Sequence, residues 1–293
     1  MLSLYGRLAL PFARVIRFDA ATPAMPSTRA GARRPWVSPL RKSAVLTPPV
    51  HALLVDDRGA WSWEPGDCHA AAVRHASVPT WIEDHPGCDL RLWVSGQLLQ
   101  SLGNAPAAAD GDEETLRSQA RRTLVQRHGE RGAQWALATW KSELSIGVCA
   151  LAGIDLEALT GHAEQHGVRM RSVVPWWYHA FLEARRCVVA LAEAKNASVC
   201  IVEGRQIAWL TSTKGQLTDV RQATLESACV AALGEATRAM AEHTDGAQTL
   251  TVVLGQGLVD GARTQALDAL VLGRLDGEQP PQWLRPSMRR EMH

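Results

Sequence analysis

The sequence predicts an α/β protein of two lobes, each a mixed sheet with helices, behind a disordered tail rich in proline and arginine. Three observations predict it. An order of three strands, a helix and a further strand occurs twice along the chain. The 293 residues leave room for two cores at roughly 150 residues each. Composition also changes near residue 50. Before it lie seven of the 15 prolines and eight of the 31 basic residues (Arg7, Arg14, Arg17, Arg29, Arg33, Arg34, Arg41 and Lys42), with Asp19 the lone acid. The expected divisions are a tail over 1–49, a first lobe over 50–175, a second lobe over 176–275 and a C-terminal tail over 276–293.

The elements follow in order. His51 to Trp63 reads as two strands about a turn at Asp57-Arg58-Gly59, because glycine accepts the positive φ of a tight hairpin. Leu90 to Leu99 reads as a strand pair turning at Ser95-Gly96, followed by a Pro/Ala/Asp loop over 104–112. Over 113–128, Leu116, Ala120 and Leu124 fall at helical spacing, with acids at the start, bases toward the end and Gly129 to stop the helix. Strands over 134–141 and 144–151 precede a helix capped by Asp155, which buries Leu156, Leu159 and Ala163 and ends at Gly167. A strand over 168–174 then leads through Pro175 into a helix to Ala194. The second half repeats the theme. Strands over 198–202, 206–212 and 216–222 precede a helix over 224–243 with Leu225, Cys229, Leu233, Ala236 and Met240 as its apolar stripe. A strand over 250–254 ends in Gly255-Gln-Gly257, with a short helix after it.

Composition excludes several functions. Six cysteines at 68, 88, 149, 187, 200 and 229 form no C-x-x-C pair, the pattern of buried thiols in a reducing compartment. No stretch reaches the ~18 apolar residues of a membrane span, and no signal peptide is evident, so a cytoplasmic protein is expected. The net charge of +1 hides an asymmetry, because eight of 31 bases and one of 30 acids precede residue 51, leaving 23 against 29 beyond it. A basic tail on an acidic body points to an anionic partner such as the inner face of a membrane. In helical projection Leu4, Leu8, Phe12, Val15 and Ile16 share one face of the first 18 residues, although Pro11 interrupts it. The folded body has no basic stripe interleaved with aromatics, so nucleic acid is not an expected partner. G-x-S-x-G, G-x-x-x-x-G-K-[ST] and H-E-x-x-H are all missing from the sequence, and catalysis finds no support in it.

Several segments carry a resemblance. They are Asp89-Leu-Arg-Leu-Trp-Val-Ser-Gly-Gln-Leu-Leu, Trp135-Ala-Leu-Ala-Thr-Trp, Leu156-Glu-Ala-Leu with Gly167 to Pro175, and Val199-Cys-Ile-Val-Glu-Gly. In order and spacing, residues 50–275 resemble the actin-like (ribonuclease H-like repeat) cytoplasmic proteins of bacterial type IV pilus and type II secretion assembly. Those are PilM and the cytoplasmic domain of the type II secretion L component. The resemblance implies a scaffold acting through protein components of a membrane-associated assembly. It also implies where a nucleotide would sit if one bound. In nucleotide-binding actin-like proteins, two glycine-bearing hairpins with an acidic residue cradle phosphates and metal. Asp56 and Gly59 correspond to the first hairpin and Gly255 and Gly257 to the adenosine-facing loop, with ATP and magnesium as the implied cofactor. The second hairpin falls at Glu203-Gly204-Arg205, which is clipped and lacks D-x-G, so weak or no nucleotide binding is expected. Asp56 to Gly59 is also an ordinary hairpin turn, the plainer reading of the two.

Other candidates stand beside plainer readings. Gly255-Gln-Gly257-Leu-Val-Asp-Gly261 with Asp276 imitates a dinucleotide fingerprint, but too little chain follows for further βαβ units. Cys68-His69, His75 and His85-Pro-Gly-Cys88 offer zinc-ligand types without paired spacing, and His162 and His166 share a helix face. Trp93, Trp135 and Trp209 read as core. Adjacent helical residues cannot both face one way, so one of Trp176 and Trp177 is a candidate exposed anchor for a partner, with burial between the lobes the alternative.

Overall fold

The computed structural model describes residues 50–63, 72–106, 113–242 and 250–280. The tail over 1–49, Cys68-His69, most of the 104–112 loop and the end of the chain lie outside these described residues.

In the first lobe, β1 (Val50–Asp56), β2 (Gly59–Ser62), β3 (Val73–His75), β4 (Asp89–Val94) and β8 (Arg169–Pro175) form a sheet in the order β3-β2-β1-β4-β8. The β1–β2 and β2–β3 pairs are antiparallel, and β1–β4 and β4–β8 are parallel. In the second lobe, β9 (Asn196–Glu203), β10 (Gln206–Thr213), β11 (Gln216–Thr224), β12 (Leu250–Gln256) and β13 (Leu270–Leu272) repeat the arrangement in the order β11-β10-β9-β12-β13. Again the hairpin strands are antiparallel and the last two pairings parallel. The central strands are buried on both faces, which explains why Ala52 to Val55 and Val199 to Val202 are unbroken apolar runs with no alternation.

Between β4 and β8 the chain builds a third, antiparallel sheet in the order β5-β7-β6, from β5 (Leu99–Pro106), β6 (Leu137–Lys141) and β7 (Ser145–Leu151). The expected hairpin at Ser95-Gly96 is therefore not one. Gly96–Leu98 make a single 3-10 turn, and β5 leaves to pair with β7. Helix α2 (Glu113–Gln134) covers this sheet, breaking at Gly129 with φ 62°, where the sequence places its stop. Ala120 and Leu124 pack against Leu137, Val148 and Ala150. The small sheet also docks on the outer edge of β11. Ser101 Oγ donates to Val220 O (3.1 Å), Asn104 Nδ2 to Thr218 O (2.7 Å) and Ser142 Oγ to Leu217 O (2.5 Å).

Helix α3 (Leu156–Gln165) starts at Asp155, whose carboxylate accepts the Ala158 N–H at 3.0 Å. The helix expected to run to Ala194 is two, α4 (Trp176–Cys187) and α5 (Val189–Glu193), parted at Val188 in an extended conformation. Six side chains of α4 are buried, among them Trp176, Trp177 and Phe181. They belong to one core that includes residues of both large sheets. Helix α6 (Val230–Glu242) closes the far face of the second sheet through Val230 and Leu233, so it begins later than the apolar stripe suggests. A short helix, α1 (Val78–Asp84), was not expected from the sequence. Ser77 caps it by accepting the Thr80 N–H at 3.2 Å, and Trp81 and Ile82 anchor it. Among the described residues no helix is long and apolar enough to cross a membrane.

Candidate functional site

The β1–β2 turn, the β9–β10 turn and the end of β12 meet at a cleft of about 350 Å³ between the lobes. Asp56, Asp57 and Arg58 line it from the first lobe; Glu203, Gly204, Gln256, Gly257, Asp276 and Glu278 line it from the second. The structure thus brings Asp56 and Gly257 to the same cleft.

Their interactions, however, are already committed within the chain. Asp56 Oδ1 accepts the Arg58 N–H and Oδ2 accepts the Trp61 indole N–H, both at 2.9 Å. Gly59 has φ 145°, and a Cβ there would run into the carbonyl of His75, so this glycine lets β3 approach the hairpin. Gly255 has φ 134° and passes against the backbone of Val202, where β12 and β9 pair. A Cβ on Gly257 (φ 86°) would lie 2.8 Å from Gly204 N, because the two glycine-bearing loops press together backbone to backbone. The N–H groups that a phosphate would need are likewise spent: Gly204 N–H on Gln256 O (2.9 Å), Gly257 N–H on Gly277 O (2.8 Å) and Leu258 N–H on Leu275 O (2.8 Å). Among the described residues that line the cleft, the charged side chains are five acids, Asp56, Asp57, Glu203, Asp276 and Glu278, against Arg58, beside the amides of Gln97 and Gln256. An anion entering there would meet like charge and few free donors.

Glu203 is the residue that sequence reasoning missed. It is 5% exposed, and its carboxylate reaches across the cleft to accept the Gly96 N–H at 2.7 Å. Its backbone carbonyl accepts Gln97 Nε2 at 3.1 Å. Gln222 of β11 completes the bridge, donating through Nε2 to Gly96 O (3.2 Å) and accepting the Ser101 N–H (2.6 Å). Burial pushes the Glu203 carboxyl up to about 7, with Asp56 and Asp57 adding to the rise and the Ser95 hydroxyl and Gly96 N–H opposing it. Gly96 has no room for a side chain, since a Cβ would sit 2.8 Å from Glu203 Oε2. The sequence does carry a signal for this, an acid ending an otherwise apolar strand at Ile201-Val202-Glu203.

The remaining candidates disperse. Trp176 and Trp177 are each 1% exposed, so neither is a surface anchor and the burial alternative holds. Trp176 stacks on Trp63 and meets Trp93 edge-on, and Trp177 meets Trp140 edge-on. The adjacent pair can both be buried because α4 lies inside the protein, with core on more than one side. His75 Nε2 bonds to Ser62 Oγ at 2.7 Å, and His85 Nδ1 donates to Trp81 O at 2.8 Å. His166 Nδ1 donates to His162 O at 3.2 Å. Among the described residues, no three His, Cys, Asp or Glu side chains are placed to hold one metal ion. The dinucleotide imitation also fails. After β12 the chain forms a loop and a 3-10 turn rather than a helix, and Asp276 pairs with Arg274 at 2.9 Å.

No protein-family model and no curated protein matches the sequence. The fold does match. A Bacteroides thetaiotaomicron protein with an actin-like ATPase fold superposes with a TM-score of 0.51 at 8% identity, over 77% of this chain and 91% of that one. The chain is also similar to the cytoplasmic domain of EpsL, an inner-membrane component of the type II secretion system of Vibrio cholerae. That match has a TM-score of 0.45 at 13% identity, over 80% of this chain and 92% of that one. A PilM-PilN type IV pilus biogenesis complex gives a TM-score of 0.45 at 11% identity, over 76% and 84%. The described residues therefore have the actin-like ATPase fold, with the three-stranded sheet inserted in the first lobe.

Proposed function

We propose that this protein is a non-catalytic, actin-like scaffold that joins protein components of a pilus or type II-like secretion apparatus at its cytoplasmic face, without using nucleotide. One observation carries the non-catalytic part. The cleft that would hold a nucleotide is lined by five carboxylates, and its glycine loops have given their N–H groups to one another and to the 275–277 segment. A phosphate binds where backbone donors converge on empty space, and here they converge on carbonyls. The choice of apparatus rests on the resemblance in residues 89–99, 135–140, 156–159, 167–175 and 199–204.

Calorimetry with Mg-ATP tests the first part, and no saturable heat is expected. Micromolar binding that disappears in Asp57→Asn or Gly257→Ala would replace the scaffold with an actin-like ATPase or kinase using residues 56–59 and 255–257. Deleting the gene tests the second part. Pili or secreted proteins should be lost and then restored by the wild-type chain and by Asp57→Asn alike. A deletion that leaves both intact overturns the assignment to such a machine.

A further inference from the structure

The cleft that rejects a phosphate leaves acceptors unfilled. Gln97 Oε1 and Gln256 Oε1, on two of the residues that line it, are buried with no hydrogen-bond partner among the described residues. A buried acceptor left unpaired is costly. Gln97 cannot relieve it by turning its amide over, because its Nε2 already donates to Glu203 O at 3.1 Å. The cleft also has an apolar rim. Val259 lines it and is 88% exposed, on a loop fixed by N–H bonds from Gly257, Leu258 and Val259 to Gly277 O, Leu275 O and Ala228 O, each 2.8 Å. An exposed valine alone is ordinary. Here it is held rigidly beside unfilled acceptors and excess negative charge.

These walls define the chemistry of an occupant. The five acids stand against Arg58, which lies 3.9 Å from Asp57, and against Arg274, which is bonded to Asp276. Positive charge is still in deficit. A metal ion does not fit, since among the described residues no three side chains are placed to hold one. A guanidinium fits, with five N–H donors, no acceptor and a charge spread over a plane. We propose that the cleft is a binding site for an arginine-bearing peptide segment and that its occupant is the end of this chain. Residues 281–293 turn back over it, with Arg285 among its acids and amide oxygens and Trp283 and Leu284 against Val259. This inference deepens the scaffold reading of the same cleft, and rests on its claim that no nucleotide fills it.

The choice of occupant follows from reach, charge and order. Glu278 lines the cleft, and the described chain ends two residues later at Pro280, which is buried. Arg285 is five residues further on, a reach of up to about 17 Å. The segment carries Arg285, Arg289 and Arg290 against Glu291, opposite in sign to the cleft. Its Trp283-Leu-Arg285 sets an apolar pair directly before a base, as the cleft sets Val259 beside its acids. The N-terminal tail is more basic but joins at Val50, the start of β1, whereas the cleft lies past the other end of that strand. So short a tether gives a high effective concentration, and a contact too weak to form between molecules forms within one.

Hydrogen exchange of the full-length protein, corrected for intrinsic rates, reads the amides of residues 282–290. At low salt they should exchange at least about tenfold more slowly in wild type than in Arg285→Ala, and the difference should shrink as salt screens the cleft. Asp57→Asn and Val259→Ser should each weaken the protection. Val125→Ser, at an exposed valine of α2 away from the cleft, should leave it unchanged. These positions are exposed or outside the described residues, and unchanged exchange of the β1 and β9 amides checks that each variant is folded. A wild-type segment that exchanges at the unprotected rate overturns the proposal, as does protection that survives Arg285→Ala or survives both Asp57→Asn and Val259→Ser. Protection that disappears on dilution would put the segment in the cleft of a second copy and overturns the fold-back. Each of these failures leaves the Mg-ATP calorimetry standing. Mg-ATP that binds while residues 282–290 stay protected would sink the nucleotide-free reading alone.

Discussion

Single residues decide what the cleft between the lobes can do, and the glycines show this most directly. In a nucleotide-binding protein of this fold, Gly255 and Gly257 would keep the backbone clear for a ligand. Here Gly255 keeps it clear for another strand, since its φ of 134° brings β12 against Val202 of β9. Gly255→Ala should therefore destabilise the folded protein by about 2–5 kcal/mol, from an unfavourable φ and an overpacked strand pair. Urea unfolding would show this as a lower midpoint at unchanged slope, with the same loss whether or not Mg-ATP is present. A Gly255→Ala chain as stable as wild type would mean that the strands are not in contact there. The glycine pattern was readable in the sequence and its purpose was not. G-x-G after a strand has the same letters whether phosphate or backbone fills the space, and the choice is made by Val202, Gly204 and the 275–277 segment, distant in the chain.

Elements were legible where their own residues determine them and illegible where a distant partner does. Asp155 caps α3 and Gly129 breaks α2, because both signals are local hydrogen-bonding or φ requirements. Helix α1 was missed although Ser77 and Pro79 mark its start, since seven residues are too few to show a period. The fate of β5 could not be read. Ser95-Gly96 resembles a hairpin turn, and only the pairing of Leu99 to Pro106 with Ser145 to Leu151 sends the strand to another sheet. Helix α4 shows the same limit on side chains. Its tryptophans suggested an exposed anchor because an ordinary helix has one buried face, whereas α4 packs against strands of both lobes and the small sheet at once. Trp177→Ala should then cost about 3–5 kcal/mol, the range for emptying an aromatic site in a core. The expected readout is a large fall in the urea midpoint with loss of near-ultraviolet ellipticity. A midpoint unchanged from wild type would return Trp177 to the surface.

At the scale of the whole chain, the near-neutral net charge of +1 conceals two opposed parts. Residues 1–50 hold eight bases and one acid, while 23 bases face 29 acids in the remainder. The tail lies outside the described residues, so its role is argued from sequence and from the charge of what it joins. A cleft and body rich in carboxylates would be repelled by an anionic leaflet, and attraction must come from the tail if the protein works at a membrane. Each basic residue near such a surface contributes on the order of 1 kcal/mol, enough for several together to hold the protein reversibly, and the attraction fades once the Debye length shrinks to a few ångströms. We therefore expect the full-length protein to sediment with phosphatidylserine-containing vesicles at low salt, and to be released as ionic strength rises. It should not sediment with neutral vesicles. Changing Arg29, Arg33, Arg34, Arg41 and Lys42 together to Ser should abolish most of the binding while leaving the unfolding midpoint of the body unchanged. Equal sedimentation of the substituted and wild-type chains would show that the body, against its own charge, makes the contact. If neither sediments, the tail is left with an acidic protein surface as its target.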